Sequence, residues 1–105
     1  MEEIIFTIIA SAGEAKSFVY EAIEYGQDGD FKEADKSLEK ANEAILRAHG
    51  IQSDLITREV NGEKIDISML FVHGQDHISA AIELKNLATY LINILKRIDK
   101  LERGK

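Results

Sequence analysis

Two of the three histidines in this chain lie in one short stretch, His73-Gly74-Gln75-Asp76-His77, with an amide and a carboxylate between them. If the stretch is helical, His73 and His77 stand as i and i+4 and Asp76 follows His73 by three residues, so all three share neighbouring parts of one surface. Such a cluster supports three chemistries. A neutral imidazole can accept a phosphoryl group, and its ordinary pKa close to neutrality lets modest changes of surroundings set how much is neutral. Imidazole and carboxylate are also common metal ligands, although one helix supplies too few of them for a closed site. Alternatively, the two histidines are core or interface residues hydrogen-bonded to their neighbours. Spacing alone leaves the three open.

The elements that must position this stretch are long helices. The chain has no proline, and Ala, Ile, Leu, Glu and Lys fill most positions, a mix that predicts an all-α fold. Its 105 residues predict one domain, 1–105, with helices at about 3–25, 31–59 and 68–102. In the first helix, Ile5, Ile8, Ala12, Ala15, Val19 and Ala22 recur in steps of three and four, which predicts a buried face. Gly13 sits among Ala10, Ser11, Ala12 and Ala15, and is expected to mark a site where another helix packs closely; the competing reading is a groove beside the histidines. Gly26-Gln27-Asp28-Gly29 should end this helix.

Asp30 with Glu33 has capping-box spacing for the second helix. The seam of that helix runs Phe31, Ala34, Leu38, Ala41, Ile45, Ala48, Gln52 and Leu55, with charged residues opposite. Gln52 is its polar member, expected either to bond across to another helix or to face the reactive stretch. His49 reads as a packing or surface residue, and Gly50 could kink the helix. Asn61-Gly62-Glu63-Lys64 signals a turn.

Either Asp66 or Ser68 can cap the third helix. Its seam then reads Leu70, His73, His77, Ala80, Leu84, Leu87, Leu91, Ile94, Ile98 and Leu101, so both histidines fall where aliphatic residues are expected. A second stripe, Ile78, Ala81, Ile82, Ala88, Ile92 and Leu95, widens the apolar surface and predicts packing on more than one side. The helix would be roughly 50 Å long. His73 lies about one turn inside its start, where the dipole helps a phosphoryl group modestly and Gln75 offers a polar donor. Lys96, Arg97, Lys100, Arg103 and Lys105 suit a solvated C-terminal end.

A formal net charge of −6 argues against a nucleic-acid binder and suits a basic protein partner. The absence of cysteine removes disulfides and thiolate zinc sites, making the cytoplasm the expected location. The apolar residues 1–12 begin with glutamates and are too few to span a bilayer, so no membrane insertion is expected.

Val72-His73-Gly74-Gln75-Asp76-His77 resembles the V/M-H-G/A-Q-D-H signature of the lactose/cellobiose-specific IIA components of the bacterial phosphoenolpyruvate-dependent sugar phosphotransferase system. Ser11 to Ser17, Gly29 to Ala34 and Ala48 to Gln52 add to the resemblance, which covers nearly the whole chain. The Asp66-Ile67-Ser68 entry to the third helix departs from many members. The resemblance implies an antiparallel three-helix bundle that forms homotrimers through coiled-coil-like packing. It implies that His73 takes a phosphoryl group from the HPr phosphocarrier and passes it to a cysteine of the cognate IIB component during sugar uptake. Gln75 and His77 would assist as donors and orienters. Asp76, one from each protomer, would hold a divalent cation, Mg²⁺-like in its taste for oxygen, on the trimer axis. The competing expectation is a metal-bridged helical assembly or regulatory module without phosphoryl chemistry.

Overall fold

The computed structural model describes residues 1–104, so Lys105 of the basic tail lies outside the described residues. Three helices follow one another: α1 (Glu2–Gln27), α2 (Phe31–Val60) and α3 (Met69–Arg103). They form an up-down-up bundle in an elongated body of 63 × 20 × 18 Å. The direction of each helix is visible in its cross-contacts. Gly74 near the start of α3 faces Ile5 and Ile8 near the start of α1, and Gly26 at the end of α1 meets Ile92 and Leu95, so these two run parallel. Lys96 of α3 reaches Asp35 at the start of α2, which therefore runs against them. α1 packs on both neighbours, while α2 and α3 touch least.

Both turns close by the same hydrogen-bond pattern. At the end of α1, the Asp30 N–H donates to the Tyr25 carbonyl and the Gly29 N–H to Gly26; at the end of α2, Glu63 donates to Arg58 and Gly62 to Glu59. This six-to-one, five-to-two pairing requires a left-handed residue at the fifth position. Gly29 (φ 82°) and Gly62 (φ 96°) supply it. The cap of α2 forms only half of the expected capping box. Asp30 Oδ1 accepts from the Glu33 N–H at 3.3 Å, but the Asp30 N–H is already taken by Tyr25, and Glu33 turns to Lys36. Of the two candidates for α3, Ser68 is the cap, its hydroxyl accepting from Phe71 N–H. α2 continues through Gly50 as one helix.

The core is a column of small residues. All six seam residues of α1 are buried, and Ala34, Ala41, Ile45, Ala48 and Leu55 of α2 meet them. Alanine at so many of these positions lets the helix backbones approach closely, and the few large side chains fill what remains. Ile78, Ile92 and Val19 are the largest that are fully buried. Ile78 follows directly after His77, so its truncation should be felt at the reactive stretch as well as in the core. Ile78→Ala is expected to cost about 2–5 kcal/mol of stability, read from urea unfolding.

The structure separates the roles of the two α3 stripes, and the expectation at Gly13 needs correction. The stripe of α3 that meets α1 is the second one, Ile78, Ala81, Ala88 and Ile92; the first is largely turned outward, with Leu87 66%, Ile94 51% and Leu101 70% exposed. Apolar periodicity identifies both stripes as sticky but carries no information on which faces the same chain. Gly13 also has no helix of this chain packed on it, since a Cβ placed there would meet nothing within 4 Å.

Candidate functional site

The reactive stretch occupies the second turn of α3, anchored on its inner side by two buried residues, Gly74 and Ile78. Four residues apart, they fix which way the intervening side chains project. A Cβ at Gly74 would lie 3.6 Å from Ile5, Ile8 and Ile9, ordinary contact, so this position requires a small residue where α1 passes. The result is that His73 and Asp76 are exposed, while Gln75 and His77 are half-buried at the flanks.

The two imidazoles meet edge to face. Their centroids are 4.4 Å apart with planes at 87°, and Nε2 of His77 lies 3.0 Å from Nε2 of His73. From α1, the Lys16 ammonium reaches Nδ1 of His77 at 3.0 Å. Burial pushes the pKa of His77 down, the charge of Lys16 and the neighbouring His73 push the same way, and Asp76 opposes them. A base held below its ordinary value is neutral at neutral pH. From α2, Gln52 Nε2 donates to Gln75 Oε1 at 2.8 Å. That bond consumes the amide oxygen of Gln75 and leaves its N–H groups as the free end.

All three helices therefore contribute. Gln52 fulfils both of its expected roles at once, since its helix-to-helix bond is made to a residue of the reactive stretch. His49 is exposed on α2. Sequence reasoning missed Lys16, which is 61 positions from its partner. No local pattern marks it, since Lys16 follows Glu14 on a helix where either charge would ordinarily be solvated.

Among the described residues, no three potential ligands of His, Asp or Glu type lie together in a way that could hold a metal within one chain. Nor is any helix among them long and apolar enough to cross a membrane.

Comparison with known proteins gives this arrangement a context. The family described as PTS system, lactose/cellobiose specific IIA subunit, matches residues 3–96. The galactose-specific EIIA component of Lactococcus lactis subsp. cremoris (strain MG1363) is 41% identical over 99 residues, spanning 94% of this chain and 85% of that protein. The crystal structure of the cellobiose-specific enzyme IIA from Bacillus anthracis superposes with a TM-score of 0.90 at 43% identity, covering 93% of this chain and 90% of that one. A IIA(chitobiose) protein, solved in solution in complex with HPr, matches with a TM-score of 0.83 at 28% identity over 93% of this chain and 95% of that one. With the matching family, the shared fold and the identity spread over nearly its full length, this chain belongs to the lactose/cellobiose-specific IIA components of the phosphotransferase system.

Proposed function

We propose that this chain accepts a phosphoryl group on His73 from phosphorylated HPr and passes it to the cysteine of a cognate IIB component during uptake of a lactose/cellobiose-type sugar. The observation that carries the reading is an exposed imidazole, His73, whose Nε2 is met at 3.0 Å by a half-buried second imidazole. The P–N bond to the donor ring breaks as a P–N bond to His73 forms; later a thiolate attacks phosphorus and the His73 ring leaves. Catalysis here is mostly positioning and charge stabilisation. The free N–H groups of Gln75 and a ring N–H of His77 are suited to donate to the phosphoryl oxygens. The complex of a IIA(chitobiose) relative with HPr supports the choice of donor. The reaction takes place in the cytoplasm. Incubation with phosphorylated HPr should give an acid-labile, alkali-stable phosphohistidine; its absence from the native chain sinks the reading.

The same reading includes a homotrimer built on the outward stripe of α3. Asp76, Ala80, Leu87, Ile94 and Ile98 are spaced to share that side of the helix, and most of its apolar members are exposed. Packing copies along it would bring the Asp76 carboxylates together, where they repel one another unless a cation lies between them. An all-oxygen donor set fits a hard divalent ion such as Mg²⁺, which would supply that charge compensation. Asp76→Leu is expected to abolish metal binding, measured by elemental analysis of the purified protein; unchanged metal content and assembly would rule out this role for Asp76.

A further inference from the structure

We propose that Lys16 is a positioning residue that fixes where the protons of the paired imidazoles sit, and so keeps the Nε2 lone pair of His73 available. The proposal rests on His73 being the phosphoryl acceptor, but the proton arrangement itself follows from contacts alone. An ammonium has donors and no lone pair, so in the 3.0 Å contact Lys16 donates and Nδ1 of His77 accepts. A neutral His77 whose Nδ1 accepts carries its proton on Nε2. That atom lies 3.0 Å from Nε2 of His73, which must then be the acceptor, so the proton of His73 sits on Nδ1. One cation thus determines the tautomer of both rings.

The consequence for transfer is directional. Nε2 of His73 is the nitrogen with a lone pair to give, and as it bonds to phosphorus, the Nε2–H of His77 is released to a phosphoryl oxygen. His73 keeps its proton on Nδ1 and His77 keeps its own on Nε2, so no proton has to move from one ring to the other during the transfer. Without Lys16, a single proton between the two Nε2 atoms can belong to either ring. Whenever it belongs to His73, the lone pair is blocked.

The groups that face His77 are Lys16 from α1 and His73 and Asp76 from its own helix. Of these only Lys16 touches Nδ1. Lys16 is itself half-buried on α1.

The test is ¹⁵N spectroscopy of the imidazoles, by long-range ¹H–¹⁵N correlation, at a pH where the shifts mark both rings as neutral. The native chain is expected to show His77 protonated at Nε2 and His73 protonated at Nδ1. Lys16→Met should show mixed tautomers at both rings, and Lys16→Arg, which restores a donor, should return the native pattern. Phosphoryl acceptance from phosphorylated HPr should slow by about tenfold in the Met variant, the scale of a lost orienting contact to a functional imidazole, and recover in the Arg variant. A native His77 protonated at Nδ1, or an unchanged pattern in Lys16→Met, overturns the proposal. The spectra need no phosphoryl donor, so a native chain that shows the expected pattern yet accepts no phosphate supports the role of Lys16 in setting the tautomers and refutes the phosphocarrier reading instead.

Discussion

His73→Ala should accept no phosphoryl group from phosphorylated HPr, a loss of at least about a thousandfold, because the variant removes the atom that forms the covalent bond. The two remaining histidines are poor substitutes. His77 has one ring nitrogen held by Lys16 and the other facing the position His73 vacates, and it is only half-exposed. His49 is exposed on α2 and takes no part in the hydrogen bonds that join Gln52 to Gln75 and His77 to His73. His77→Ala should behave differently. It leaves the accepting nitrogen in place and removes a donor and orienter, so transfer should slow by about a hundredfold without being abolished. The measurement is phosphohistidine formed per unit time, resolved by ³¹P spectroscopy. Label that persists at the native rate in His73→Ala would place the acceptor elsewhere.

Ile94→Glu is expected to convert the assembly to monomers with the helical fold intact. Ile94 is 51% exposed in the single chain and takes no part in the core, so a glutamate there remains solvated when the chain is alone. In a trimer packed along the outward stripe of α3, the same substitution would bury like charges against one another. Burying an unpaired ion costs several kcal/mol, enough to weaken association by more than about a thousandfold. Sedimentation should show the change in mass, and circular dichroism should show unchanged helix content. A native chain that sediments as a monomer, or a variant that still assembles, would remove the outward stripe as the interface.

Much of the fold was legible in the sequence. The three-four spacing of Ile5, Ile8, Ala12, Ala15, Val19 and Ala22 has one interpretation, and every one of these residues is buried. Gly29 and Gly62 marked both turns because only a residue without Cβ takes their backbone angles without strain. On α3 the pattern was ambiguous for a physical reason: a helix with two apolar stripes has two faces to cover, and the chain itself covers only one. The candidate site was legible in part. His73, Gln75, Asp76 and His77 are neighbours in sequence and were readable together, and Gln52 stood out as polar in an apolar seam. Lys16 did not stand out, because a lysine on a helix is ordinarily a solvated charge. What makes it different is a contact to another helix, which no local pattern encodes.

Lys16, Gln52, His73, Gln75 and His77 all belong to helix interiors, and the hydrogen bonds that join them are made from helix to helix or within one helix. A site mounted this way holds its geometry before anything docks. A partner therefore meets it without waiting for a loop to close, and little chain entropy is surrendered on binding. It also leaves without having to undo such an ordering step. If the proposed relay between two partner proteins holds, short dwell with rapid exchange is the regime such a rigid platform favours.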